Sequence, residues 1–463
     1  MSRKNAPTLS AKKGFKVPDT YVILFVMMVI CAVLTYIIPA GQYNLIDGTS
    51  MVDPDSFHYV EQTPVTITQF LTSFSEGFRN GVSIIGFTLI VGGFVQCVTD
   101  TGALDKGIAA LVNKTGPSKA FIMIPFLMIG LSVLGAFGII TNAVVAFIPI
   151  GVTLAKKMRV DPIFGIAVIY LACYGGYPSS PVCPFSTVVA QEIAGVEVFS
   201  GAWYRIICWF VVLTVTMIWI IRYGKKVQAD PTRSIVYGEF TYGEEAEEGG
   251  FTTRDALIVA DLIIGIVIYT IGVITLDWDT DMMNGVMMVV AVIATMIAGR
   301  TVDDLIASFV KGVKSMVYGV MVVCFAQAVS GLLQEGQVIH TIVHYLSIPL
   351  TYVPIVAAVL LMYLIQILIS FPVSSASGQA YVLMPIMAPL ADTVGITRQL
   401  SVLIYQFGEG YSNSIVPTSG VTMAMLAAGG VSYTKWLKFM VPLYLVQTLV
   451  TAVLILIAFF MGY

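Results

Sequence analysis

The sequence predicts an all-α, polytopic membrane protein built as two related halves. Three observations carry this: its composition, the placement of its charges, and polar interruptions that occur twice along the chain. Of 463 residues, 57% are hydrophobic and 11% charged, whereas an ordinary soluble domain carries about 25% charged residues. The mean hydropathy is +0.88. Hydrocarbon roughly 30 Å thick takes about 20 apolar helical residues to cross, and residues 441–461 supply such a run. A soluble multi-domain enzyme is excluded on this ground. The net charge of −3 comes without a basic stripe or nucleic-acid motif, so no nucleic-acid partner is expected.

The N-terminal segment 1–16 holds Arg3, Lys4, Lys12, Lys13 and Lys16, whereas 41–65 holds only acidic charges, Asp47, Asp53, Asp55 and Glu61. The positive-inside rule then places the N-terminus in the cytoplasm. The first apolar stretch, from about Tyr21 to Ala40, is followed by no A-x-A-like cleavage site and reads as a retained helix. Further helices are expected near 82–99, 119–137, 139–155, 160–196 with a break, 200–223, 254–276, 282–299, 316–334, 350–371, 379–394, 399–430 with a break, and 436–461. With 119–155 and 350–394 drawn as re-entrant hairpins, all of the 24 basic residues except Arg79, Arg205 and Arg398 fall in the cytoplasm. The polar stretch 224–253, with the acidic cluster Glu244, Glu245, Glu247 and Glu248, reads as a solvated cytoplasmic linker. It separates a first membrane half, 17–223, from a second, 254–463.

The halves resemble each other at a nearly constant offset. Ser73, Phe74 and Gly77 recur as Ser308, Phe309 and Gly312; Phe94 and Gln96 recur as Phe325 and Gln327. Pro149 and Ile150 recur as Pro385 and Ile386, and Gly175, Pro184 and Ser186 as Gly408, Pro417 and Ser419. The charge bookkeeping brings the first copy into the membrane from outside and the second from the cytoplasm. The sequence therefore predicts inverted repeats, an arrangement that places binding sites at interrupted helices.

Four patches interrupt the apolar helices, in two repeat-related pairs: turns at 138–142 and 372–379, and breaks at 175–187 and 408–419. Unwound backbone survives in a membrane only against protein or a water-lined cavity. A half-helix that begins there offers N–H groups to a carboxylate, and one that ends there offers carbonyls to Na⁺ or an ammonium. Pro181, Pro184 and Pro417 suit the first turn of a new half-helix. The candidate substrate-binding residues are Thr141, Asn142, Gly176, Ser179, Ser180, Ser186 and Thr187 in the first half. In the second they are Ser374, Ser375, Ser377, Gly378, Gln379, Asn413, Thr418 and Ser419. Glu409, an acid between two glycines inside the second break, is the candidate for a coupling ion or a substrate ammonium, with Ser412 beside it. Gln191 and Glu192 read as facing outer water, and Asp261 as interfacial.

No metal or cofactor site is expected. The six cysteines lie in apolar runs without ligand spacing, and His340 and His344, four residues apart, have no acidic third ligand. There is no HExxH motif, no Ser/His arrangement and no G-x-x-x-x-G-K-[ST] fingerprint, so neither an enzyme nor a primary pump is expected.

The chain resembles the YfcC-like transporters, which are related to arginine/ornithine antiporters and to the anaerobic four-carbon dicarboxylate carriers. The resemblance rests on 17–21 with 38–43, on Ser377-Gly378-Gln379-Ala380 with 384–392, and on Gln406-Phe407-Gly408-Glu409-Gly410-Tyr411-Ser412-Asn413 with Pro417-Thr418-Ser419-Gly420. It implies an ion-transporter fold in a bacterial-type inner membrane, a homodimer, and elevator-like movement of a substrate domain. One departure bears on specificity. Where the group is expected to carry an acidic pair at the first turn, this chain reads Ile140-Thr141-Asn142-Ala143, which favours a zwitterionic or anionic substrate over a dibasic one. The expected function is secondary transport of a small carboxylate-bearing metabolite, an amino acid or C4-dicarboxylate, by Na⁺- or H⁺-coupled symport or exchange. A basic amino acid antiporter and, in another class, a channel are the alternatives.

Overall fold

In a computed structural model the described residues are 20–44, 53, 56–103, 106, 107, 119–138, 140–239, 251–276, 278 and 280–463. The chain is mostly helical. Helix α1 (Thr20–Ile37) leads into a short antiparallel ribbon of β1 (Gly41–Gln42) and β2 (His58–Tyr59). An amphipathic α2 (Ile67–Asn80) follows, with polar and apolar residues on opposite faces that a search for purely apolar runs passes over. Thr66 and Gln69 form a capping box at its start. The chain then bends by 54° into α3 (Val82–Thr99).

The next elements are α4 (Met123–Ala136), α5 (Ile148–Lys157), α6 (Pro162–Gly176), the one-turn α7 (Val189–Ile193) and α8 (Ala202–Ala229). Helices α9 (Thr253–Leu276), α10 (Thr280–Ile297), α11 (Val302–Glu335) and α12 (Ile339–Ser347) lead to a second series in the same order. That series is α13 (Ile355–Ser370), α14 (Ala376–Val394), α15 (Arg398–Ser412), α16 (Gly420–Gly429) and α17 (Tyr433–Phe460). In both series a helix, a tight turn, a helix, a broken helix and a long helix follow one another.

Helix α11 starts well before the expected residue 316. A Thr301/Asp304 capping box nucleates it, and the charges Asp303, Lys311 and Lys314 hide its first turns from hydropathy. Three helices, α8, α11 and α17, are each long and apolar enough to cross a bilayer. Exposed Phe210, Ile218, Leu445, Leu449 and Val453 give α8 and α17 faces suited to hydrocarbon.

The linker begins later than its polar sequence suggests. Helix α8 runs to Ala229, and beyond it Ser234 donates to Asp161 Oδ2 at 2.6 Å, beside Tyr223 at 2.5 Å. Asp161 is buried as the N-cap of α6, so it needs those donors. The acidic cluster 244–248 and the N-terminal segment 1–16 lie outside the described residues.

The helices sort into two packed groups. One comprises α1, α2, α3, α10 and α11, with α9 against α10; the other comprises α4 to α8 and α13 to α17. Glycine lets backbones meet inside each group. A Cβ on Gly312 would sit 2.0 Å from Gly92 O between α11 and α3, and one on Gly176 would sit 1.9 Å from Ser132 O between α6 and α4. The groups touch mainly where α11 packs on α16. A cavity lies along that junction.

Candidate functional site

The cavity holds about 690 Å³. The second group supplies the two turns (Thr141, Asn142, and 373–378) and the second break (Glu409, Asn413, Ser419, Gly420, Val421), with Tyr174 and Tyr177 from the end of α6. The first group supplies Asn80, Gln327, Gly331 and Gln334. Of the expected site residues, the structure thus brings together Thr141, Asn142, Ser374, Ser375, Ser377, Gly378, Glu409, Asn413 and Ser419.

Glu409 is buried near the end of α15. Tyr177 OH donates to its Oε2 at 2.8 Å, and Asn413 Nδ2 donates to Oε1. The carboxylate therefore has two donors, and it borders a cavity whose described lining residues include no Lys, Arg or His.

Two helices begin at the cavity. Ser375 caps α14 by accepting from Gly378 N at 3.3 Å, and Ser419 caps α16 by accepting from Thr422 N at 3.4 Å. Each cap takes one of the four N–H groups that a helix start leaves without an intrahelical acceptor. Residues 376, 377, 420 and 421, in the same first turns, line the cavity. Partial positive charge from two helix starts therefore meets the Glu409 carboxylate in one chamber.

The remaining expected residues are placed elsewhere, most of them spent on partners within the protein. Short polar side chains in a break bond to the unwound backbone before they are free to meet a guest. Ser180 Oγ donates to Ala136 O and accepts from Cys183 N at 2.8 Å. Thr187 donates to Ser180 O at 2.8 Å. Ser179 pairs with Tyr411 OH at 2.6 Å, and Ser412 with Tyr444 OH at 2.8 Å. Thr418 donates to Phe371 O at 2.6 Å while Ser374 donates to Thr418 O at 2.7 Å, lacing the second turn to the second break. Gln379 accepts from Gln366 at 2.5 Å and donates to Val373 O. Ser186 Oγ is buried without a partner, and Gly176 serves the approach to Ser132.

Three further expectations are corrected. Carbonyls at the second break are not left without protein donors: Ile415 O accepts from Tyr433 at 2.6 Å, Ser414 O from Trp436 at 2.8 Å, and Asn413 O from Thr422. The prolines do not open the half-helices as a set. Pro184 begins a single wide turn at Pro184–Val188, whereas Pro181 and Pro417 precede helical structure and Ser419 supplies the cap. Gln191, expected toward outer water, is buried, donating to Ser200 O at 3.0 Å and accepting from Phe199 N at 3.0 Å. Among the described residues no three His, Cys, Asp or Glu converge as metal ligands. His344 instead stacks on Phe57 with ring centroids 3.9 Å apart and meets Tyr43 OH at 3.0 Å.

Sequence reasoning missed the wall from α2 and α11. A signal for part of it existed: Gln327, Gly331 and Gln334 recur at i, i+4 and i+7, one face of an otherwise apolar helix.

A family model described as DcuC, C4-dicarboxylate anaerobic carrier, matches residues 17–460. The chain belongs to this family. Within the DcuC relatives, it is 30% identical to the Escherichia coli (strain K12) protein named "Putative basic amino acid antiporter YfcC", over 97% of this chain and 98% of that one. It is 28% identical to an uncharacterized protein of Haemophilus influenzae (strain ATCC 51907 / DSM 11121 / KW20 / Rd), over 96% and 97%. Two solved structures are similar along the length of this DcuC-family chain. The Alcanivorax borkumensis YdaH transporter aligns with a TM-score of 0.44 and 17% identity, over 96% of this chain and 99% of that one. Neisseria gonorrhoeae MtrF, described among antimetabolite efflux pumps, aligns at 0.45 and 13%, over 96% of each. Family membership and the apolar helices together make the protein a membrane transport protein.

Proposed function

We propose that this DcuC-family protein is a secondary active transporter of a small carboxylate-bearing metabolite, an amino acid or C4-dicarboxylate, by ion-coupled symport or exchange. The observation that carries this reading is the meeting of two helix starts with Glu409 in one cavity. A substrate carboxylate is received at the first turns of α14 and α16, and Glu409 takes an ammonium or a coupling proton.

The two helix groups supply the means of alternating access. The cavity is shared between them, so displacement of the second group against the first would carry the site across the membrane as an elevator. Inverted repeats spanning 17–223 and 254–463 are supported by the recurrence of element order, the resemblance to YfcC-like chains supports a homodimer in a bacterial inner membrane, and the basic residues of 1–16 support a cytoplasmic N-terminus. The test is uptake into proteoliposomes under imposed Na⁺, proton and exchange gradients. Saturable flux with counterflow of a labelled carboxylate is expected. No carboxylate movement under any gradient, beside a working control, refutes the reading, and non-saturating flux without counterflow would mark a channel.

A second reading, antiport of a basic amino acid, draws on an adjoining pocket of about 120 Å³ that shares Asn80, Gln327, Gly331 and Gln334 with the main cavity and carries Glu76 and Glu335. Exchange of arginine for ornithine in the same vesicles decides it.

A further inference from the structure

The wall contributed by α2 and α11 bears on which solute the cavity takes. Among the described residues, the side-chain amides of Asn80, Gln327 and Gln334 have no hydrogen-bond partner within the protein, although all three line the cavity. Asn80 ends α2 at the bend, and a Cβ added to Gly331 would meet only Asn80 Nδ2, at 3.9 Å. Asn80 is itself exposed. These amides contrast with Gln379 and Gln406, whose side chains are consumed by the protein itself.

We propose that the transported solute is an α-amino acid with an uncharged hydrogen-bonding side chain, an amide or hydroxyl, read by Asn80, Gln327 and Gln334. The proposal rests on the transport reading above. An amide presents one acceptor and two donors, so an amide or hydroxyl is matched on both sides, whereas an alkyl side chain strips three amides of water without replacement. A C4-dicarboxylate would bring two negative charges into a chamber that already holds Glu409 and is lined by no Lys, Arg or His. A dibasic side chain meets neutral amides, because Glu409 is the one acid among the described lining residues and is matched by the α-ammonium. Glu76 and Glu335 line the smaller pocket next door, where Glu76 is ion-paired with Arg79.

The test is competition against labelled glutamine exchange in proteoliposomes of the full chain. Glutamine, asparagine and serine should compete, with leucine, arginine and succinate weaker by about tenfold or more. Gln327→Leu should raise KM for glutamine about tenfold and narrow the preference for glutamine over leucine. Asn80→Asp, at an exposed position, gives a variant whose failure to fold is not expected, and it should move the preference toward arginine. If arginine or succinate exchanges better than glutamine in wild type, this inference falls and transport stands. Unchanged selectivity in both variants also overturns it. If no carboxylate solute exchanges at all, the transport reading itself fails.

Discussion

The two helix breaks are built from the same kinds of residue and end in opposite conditions. In the first, between α6 and α7, the polar atoms are largely spent within the protein. Ser180 O receives both Thr187 and Gln406, and Gln406 in turn receives Arg205 Nε at 2.9 Å. Arg205 is fully buried without an acidic partner, held by Ser200 O at 3.2 Å and Tyr463 OH at 2.5 Å. In the second break, between α15 and α16, the backbone carbonyls are likewise satisfied, yet Glu409, Asn413 and the α16 start border a chamber of about 690 Å³. Composition alone does not separate a break that holds the fold from one that meets a solute. What separates them is whether polar atoms remain after the unwound backbone has been satisfied.

The largest effect that tests this contrast is on transport. Glu409→Gln removes the only charge among the described lining residues while keeping the side chain's shape, and the Asn413 amide can turn to keep a hydrogen bond. Exchange should fall at least about a hundredfold, roughly 2.7 kcal/mol, with an unfolding temperature close to wild type. Retention of more than a tenth of the wild-type rate would remove Glu409 from the mechanism. The first break should respond in the opposite way. Gln406→Ala leaves Ser180 O with one donor fewer and strips Thr187 and the Arg205 guanidinium of a partner, all of them buried. Unsatisfied buried groups cost about 1–3 kcal/mol each, so a loss of stability of about 3 kcal/mol or more is expected, read as a lower midpoint in detergent. KM of whatever protein remains folded should be unchanged. A selective KM change with normal stability would mean that the first break also touches the solute.

The outlines of this contrast were legible in the sequence, and its assignment was not. Gly, Ser and Pro inside apolar runs marked both breaks and both turns, because such residues are costly in a membrane helix without a reason. The turn at Ser374 and Ser375 and the acid at Glu409 were placed at the cavity for that reason. Whether a given hydroxyl faces a guest or its own backbone depends on packing across the chain. Thr418 was read with Ser419, yet one laces the α13–α14 turn and the other caps α16. Asn80 was hidden by a different cause. It sits at the end of an amphipathic helix whose polar face resembles a solvated surface until α11 packs against it. Pro417 is a poor mark of the helix start, because the cap two residues later, Ser419, sets it.

Smaller effects should divide the second break further. Tyr177→Phe deletes the donor 2.8 Å from Glu409 Oε2 without changing the packing of the ring. A hydrogen bond to a charged group is worth about 1.5–3 kcal/mol, so this variant should lose stability in that range and slow exchange less than Glu409→Gln does. The least is expected from Ser375→Ala and Ser419→Ala. Each loses a helix cap worth about 1 kcal/mol, and the freed N–H joins those already facing the cavity. If the α14 and α16 starts receive the substrate carboxylate, loss of the cap leaves the dipole in place, and KM should change by less than about threefold in either variant. A large KM change confined to Ser375→Ala would mean that its hydroxyl touches the solute directly and that α14, rather than the α16 start, sets the orientation of the carboxylate.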